Sequence, residues 1–150
     1  MSNSNPLNIE IFTPENGIYC PINDVTDFLY EHLDEFGDDR QYIKECIEYS
    51  LSTEPNKGGY VIVGKENGQI VGSVVLNLTH MRGYHPPNYL VYIAVHENQR
   101  GKGRGRELMN KATEITDGDI ALHVEPHNPA RHLYDKVGYK SKYLEYRLIK

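Results

Sequence analysis

The stretch Tyr92-Ile93-Ala94-Val95-His96-Glu97-Asn98-Gln99-Arg100-Gly101-Lys102-Gly103-Arg104-Gly105-Arg106-Glu107-Leu108-Met109 passes from an apolar strand through a glycine-rich loop into an amphipathic helix. At a helix start the first backbone N–H groups have no intrahelical partner and the dipole adds partial positive charge, so an oxyanion is a natural ligand there. Glycines at 101, 103 and 105 remove the Cβ atoms that would hold such a ligand away from those donors. Arg100, Lys102, Arg104, Arg106 and Lys111 against Glu107 give residues 100–111 a net charge of +4, five minus one. The pattern is an anion cradle that a pyrophosphate would fit. A Walker loop would carry Lys and then Ser or Thr after its last glycine, where this chain has Arg106 and Glu107. A dinucleotide fingerprint fits no better, because the glycine spacing is not GxGxxG and the loop comes late in the chain instead of opening the fold.

Working outward, Leu7, Ile9 and Ile11 alternate with polar neighbours as in a half-buried strand. Two helical patterns follow. Ile22, Val25, Phe28, Leu29, Leu33 and Phe36 share one face before Gly37, and Tyr42, Ile43, Cys46, Ile47 and Leu51 repeat the period before Pro55. Residues 59–64 and 69–78 are rich in Val and Ile around Glu66-Asn67-Gly68, which predicts a hairpin. Residues 79–88 form a loop, and residues 89–95 a third apolar strand of this stretch. The helix over residues 103–116 turns Leu108, Met109, Ala112 and Ile115 inward. A strand over residues 120–124 follows. Asn128-Pro129 starts a last helix, with Leu133, Tyr134 and Val137 inward and Gly138 as its stop. Residues 139–149 are expected to return as a strand. The order is β-α-α-β-β-β-α-β-α-β, an α/β fold with a mixed sheet.

The composition narrows the function classes. At 150 residues and 39% hydrophobic, the chain is expected to form one domain over residues 1–150. Cys20 and Cys46 are too few for a disulfide framework and lack CxxC spacing, so a reducing interior and no structural zinc are expected. No apolar run reaches a membrane span, and Met1 to Pro6 has no signal-peptide features, which makes a cytoplasmic protein without membrane contact the expectation. The net charge of −5 argues against a general nucleic-acid binder. It conceals a split: residues 1–60 hold 12 acidic and three basic residues (−9), residues 61–150 nine and 13 (+4). Arg100 to Arg106 superficially resembles a basic minor-groove arm, but no aromatic residues interleave with it.

Arg100-Gly101-Lys102-Gly103-Arg104-Gly105 resembles the R/Q-x-x-G-x-G/A loop of the GCN5-related N-acetyltransferase (GNAT) family. Ala130, Leu133, Tyr134, Gly138 and Tyr139 resemble that family's A-x-x-L-Y-x-x-x-G-F/Y segment. The element order is similar too. The resemblance implies a splayed mixed sheet and an acetyl-CoA-dependent N-acetyltransferase that moves an acetyl group to a primary amine.

It also implies where the parts are. The backbone of Ile93, Ala94 and Val95 would pair with the pantetheine arm. The amides of residues 100–105 would take the pyrophosphate, with Lys102 or Arg104 reaching the 3′-phosphate. Tyr134 would be the general acid that protonates the departing thiolate, since a phenol with pKa ~10 is protonated at neutral pH. Relatives often place a carboxylate on the central strand as base, where this chain has Val91, Tyr92 and Ile93. The candidates become Glu125, His123, which shares its strand parity, or an ordered water chain. His127 stands where the family usually has Asn, with Asn128 one residue later, able to contact the cofactor or to cap the helix. The acceptor amine, a small molecule or a peptide, would meet the two acidic helices that carry Asp24, Asp27, Glu31, Asp34, Glu35, Asp38, Asp39, Glu45 and Glu48. That charge favours a cationic amine. Tyr84, His85 and Tyr89 could form an aromatic lid. The short tail after Gly138 suggests a reduced acceptor wall, or one completed by another subunit as in a homodimer. A non-catalytic acyl-CoA sensor of the same fold is the alternative that the missing strand carboxylate raises.

Overall fold

The computed structural model describes residues 6–150, so the leader reading of Met1 to Pro6 lies, but for its last residue, outside the described residues. A five-stranded sheet runs in chain order: β1 (Asn8–Phe12), β2 (Gly59–Glu66), β3 (Gln69–Leu78), β4 (Asn88–Val95) and β5 (Ile120–Leu122). The first three pairings are antiparallel and β4 pairs with β5 in parallel, which makes the sheet mixed. Helices α1 (Ile22–His32) and α2 (Arg40–Leu51) pack on one face, and α3 (Arg104–Ile115) and α4 (Arg131–Lys136) on the other.

Each face buries its own core. Val25, Phe28 and Leu29 of α1 and Ile43 and Ile47 of α2, the inward positions of the two helical periods, meet Val61, Val63, Val75, Tyr92 and Ala94. Opposite, Leu108, Met109 and Ala112 of α3 and Tyr134 of α4 meet Ile62, Val74, Leu76 and Leu90. Each fully buried Val, Leu or Ile contributes about 1.5–3 kcal/mol relative to exposure. The α3 contact is close: a Cβ on Gly72 of β3 would come within 2.5 Å of the Leu108 side chain.

Two features of β4 set up the rest. Its register against β3 slips, Val75 opposing Tyr92 and Leu76 opposing Leu90, so Val91 is an inserted bulge residue. The insertion resets the alternation. Leu90, Ile93 and Val95 face α3 and α4, whereas the adjacent Val91 and Tyr92 both face α1 and α2. On its other edge β4 pairs with β5 only over residues 88–90. The two strands diverge beyond that point and leave the β4 backbone from residue 91 onward open to the gap.

Three expectations change. The 120–124 strand ends at Leu122. The last helix begins at Arg131, after a turn that starts at Asn128. Residues 139–149 form no strand. Their alternating pattern expresses a capacity to pair, but a strand exists only against a partner, and this tail has none in its own sheet.

Candidate active site

The glycine loop ends β4 and starts α3. Gly101 and Gly103 have φ of +80° and +79°, the left-handed region, and Gly103 is the residue from which the helix departs. A Cβ on either glycine would meet nothing within 4 Å, so the concavity in front of them is open. The Glu107 amide makes the helix's first capping bond, to the Gly103 carbonyl at 3.0 Å. Donors ahead of it point out of the helix N-terminus toward that opening. A diphosphate fits such a cradle in charge and in backbone access.

The basic side chains divide by task. Arg104 is 5% exposed and turned inward, where it pairs with Glu66 at 2.7 Å and Glu107 at 3.4 Å. It locks α3 to the β2–β3 hairpin, so its side chain faces away from the 3′-phosphate role that its sequence position suggested. Arg100 donates to the Val95 carbonyl and to the His32 carbonyl at 3.2 Å each, and its guanidinium lies 3.7 Å from Asp34. It clasps the end of β4 to the end of α1. Lys102 and Arg106 are exposed at the loop rim. Beneath the loop His32 and His96 stack with centroids 4.3 Å apart, and burial followed by the His96 neighbour lowers the His32 pKa.

On the α3 and α4 side, Tyr134 is 8% exposed, with its ring 6.1 Å from that of Tyr139. Burial, then the neighbouring Tyr139, pushes its pKa up to about 12, so the phenol keeps its proton throughout the working range. The half-buried Ile93 and Val95 lie on this side and the buried Ala94 on the other. Asn128 accepts from the Ala130 amide at 2.9 Å, which makes it a cap for the turn leading into α4.

The base candidates are not brought together. Because β5 stops at Leu122, His123 and Glu125 sit in a loop where strand parity no longer applies. His123 Nδ1 lies 3.0 Å from the Tyr89 hydroxyl, and Glu125 lies 3.5 Å from His127. His127 in turn packs against Phe36 at 5.3 Å, so the α1–α2 connection touches the β5–α4 loop. Tyr84 is 82% exposed, whereas the Tyr89 ring lies 5.2 Å from that of His123.

One residue pair escaped sequence reasoning. Tyr92 donates from its hydroxyl to Asp38 at 2.5 Å. Burial and the carboxylate raise the Tyr92 pKa far above the ordinary phenol value. This puts a carboxylate against the central strand after all, delivered by the α1–α2 connection from 54 positions away. Asp38 also lines an open cleft of about 620 Å³ with Tyr30, Glu31, Asp34, Asp39 and Tyr42. No local signal marks the contact, since neither residue belongs to a motif.

The GNAT acetyltransferase family model matches residues 23–139. No curated protein sequence matches the chain. The fold is similar to that of the ribosomal-protein-alanine N-acetyltransferase from Brucella melitensis biovar Abortus 2308, at 17% identity over 97% of this chain and 100% of that one, TM-score 0.65. It is similar to a putative acetyl transferase from Pyrococcus furiosus, at 24% identity over 95% and 100%, TM-score 0.61. A further similar structure is the aminoglycoside N-acetyltransferase AAC(6')-Iy with a bisubstrate analogue, CoA-S-monomethyl-acetylneamine, at 14% identity over 95% and 98%, TM-score 0.69. With its family model, mixed sheet and glycine-led anion cradle in agreement, the chain belongs to the GCN5-related N-acetyltransferase family and is an N-acetyltransferase that uses acetyl-CoA.

Proposed function

We propose that this enzyme acetylates a cationic primary amine, such as a small polyamine, an amino sugar or a lysine-like side chain. The observation that carries this is the cleft that four carboxylates, Glu31, Asp34, Asp38 and Asp39, line together with Tyr30 and Tyr42, and that reaches the central strand through the Asp38–Tyr92 hydrogen bond. Carboxylates in an open cleft attract an ammonium group, and the faces of Tyr30 and Tyr42 favour the same charge. The aminoglycoside enzyme among the similar folds carries an amino-sugar analogue in its complex.

Acetyl-CoA supplies the thioester that the amine attacks. On this reading, the amides of Gly101, Gly103 and Gly105 hold the diphosphate, Lys102 at the rim adds charge, and the open β4 edge from Ile93 to Val95 orients the pantetheine arm. Arg104 contributes through its backbone and its lock on α3. The cleft side chains hold the ammonium on the α1 and α2 side of the gap. The amine loses its proton to a carboxylate or ring nitrogen on that side, Asp38 or His123, or through water toward Glu125. The new C–N bond forms as the C–S bond breaks, and the Tyr134 hydroxyl on the opposite side donates to the departing sulfur.

An acceptor panel read as free thiol release tests the function. Di- and polyamines and aminoglycosides are expected to turn over, and E31Q with D39N to raise KM for them several-fold while sparing kcat. A preference for neutral or anionic amines would sink the assignment. Acetyl-CoA binding without thiol release from any amine would establish the sensor alternative.

A further inference from the structure

The turn that carries β4 into the glycine loop is held by a titratable atom. Residues 97–99 form a single 3-10 turn, and His96, just ahead of it, caps it with its side chain: Nδ1 accepts from the Asn98 amide at 3.1 Å. Asp, Asn, Ser or Thr ordinarily fills such a place with an oxygen that stays an acceptor at neutral and mildly acid pH. An imidazole nitrogen does not. Nδ1 offers its lone pair only while the ring's proton sits on Nε2, and a second proton turns it into a donor that faces another donor.

Two backbone bonds complete the turn, from the Gln99 amide to the His96 carbonyl at 2.8 Å and from the Arg100 amide to the Glu97 carbonyl at 3.4 Å. It has little stability in reserve, because the Gln99 side-chain carbonyl is buried there with no hydrogen-bond partner among the described residues. The surroundings of His96 are rich in nitrogen bases. Its ring stacks on that of His32, which is buried at the end of α1 with Phe28 4.6 Å behind it. Arg100 of the loop donates to the His32 carbonyl. The carboxylates that face this cluster are Glu31 of α1, 3.7 Å from His32 Nε2, Asp34 of the α1–α2 connection, 3.7 Å from Arg100, and Glu97 of the turn itself. Glu31 and Asp34 stand mostly in water and offset little of the repulsion among three cations. β3 contributes the Val71 carbonyl, which accepts from the His96 amide at 2.8 Å.

We propose that His96 is an acid-released latch on the cofactor loop: with Nδ1 unprotonated it caps the turn that presents Gly101 and Gly103, and protonation of that nitrogen frees the turn and weakens the grip on CoA. The inference rests on the reading of the loop as the diphosphate site. Its sign follows from linkage. The capped form holds CoA, so affinity is full above the range in which an imidazole takes up its second proton, ~6.5 for a free side chain, and declines as the pH falls through that range. The added charge joins a segment already at +4 and attracts the diphosphate, but it does not restore the loop's shape, on which the backbone donors depend.

Calorimetry with dephospho-CoA tests the latch, since this probe keeps the diphosphate and lacks the phosphomonoester, whose second ionisation near ~6 would be read out as well. Between pH 7.5 and 5.5 the dissociation constant is expected to rise about fivefold, the worth of one cap, with circular dichroism unchanged. The variant H96N carries an amide oxygen that accepts from the same backbone amide at either pH, and its rise should be less than about twofold. Hydrogen exchange on the unaltered protein reads the latch without ligand: the protection factor of the Asn98 amide should fall on acidification while those of β3 hold. A dissociation constant that is flat or falls in acid, an equal rise in H96N, or an Asn98 amide equally protected at both pH values would each overturn the proposal. The loop reading fails separately. Gly103→Ala that binds dephospho-CoA as tightly as the wild type at pH 7.5 would remove the diphosphate site and the latch with it, whereas a weakened Gly103→Ala beside a pH-independent wild type sinks the latch alone.

Discussion

Replacing Tyr134 with Phe isolates a single hydroxyl. The ring belongs to the α3–α4 core and is 8% exposed, so Phe keeps the packing and the melting temperature should stay within a degree or two. The chemical consequence follows from the raised pKa of about 12. A thiol ionises near ~8.5, so complete proton transfer from this phenol to a free thiolate is uphill by about 3.5 pKa units, or about 5 kcal/mol at 1.36 kcal/mol per unit. The hydroxyl therefore serves best as a hydrogen-bond donor to charge developing on sulfur, with the proton passing late. That puts its contribution at the low end of acid catalysis, a loss in kcat of ~10²-fold with KM for acetyl-CoA nearly unchanged. The pH profile supplies a second readout. Wild-type kcat/KM should climb through the ionisation of an acceptor amine near ~10.4 and show no descending limb from Tyr134 below about pH 12. Steady-state thiol release across pH 6 to 11 with both proteins decides the matter. Unchanged turnover in Tyr134→Phe, or a loss matched by a large fall in melting temperature, would refute the role.

Two further substitutions probe the cofactor end. Gly103→Ala places a Cβ in open space at φ +79°, so its stability cost is the backbone alone, about 1–2 kcal/mol, and less for Gly103→Asn. Both should weaken CoA binding by calorimetry on the order of tenfold, about 1.4 kcal/mol; wild-type affinity in either would remove the loop from the diphosphate site. His32 has a folded pKa below its unfolded value of ~6.5, so the unfolded chain takes up the proton first. Its stabilising effect is complete above that pH and is lost as the pH falls toward the folded pKa. Thermal melts should drop on acidification from pH 7 to 5, and His32→Gln should flatten that slope.

Much of the fold was legible because it rests on local signals. The helical periods of Ile22 to Leu33 and Tyr42 to Leu51, the Asn67-Gly68 hairpin and the glycine loop sit where the pattern puts them, although α1 ends at His32 and Phe36 falls in a separate turn against His127. What failed depended on partners. Residues 139–149 have a strand's pattern and no strand beside them. His123 and Glu125 share parity only if β5 runs three residues beyond Leu122. Arg104 reads as one of four loop cations, yet Glu66 draws it into the interior, a contact that only the hairpin's approach to α3 creates. The acidic cleft proposed for the acceptor was legible as charge on two helices. The Asp38–Tyr92 bond that joins it to the central strand was not, because 54 residues separate the pair.

The bulge at Val91 has a consequence for altering specificity. An uninterrupted strand gives each face every second residue, so a designer who changes neighbours disturbs both sides. Here consecutive positions 91 and 92 face α1 and α2 together, the side proposed for the amine, while 93 and 95 remain with α3 and α4. Acceptor preference can thus be varied at a two-letter address without rewriting the cofactor face. Deleting Val91, by contrast, would restore plain alternation, with Leu90 and Tyr92 opposite Leu76 and Val75 as neighbours, so every other residue of β4 keeps its face and the α1 and α2 side loses Val91 alone.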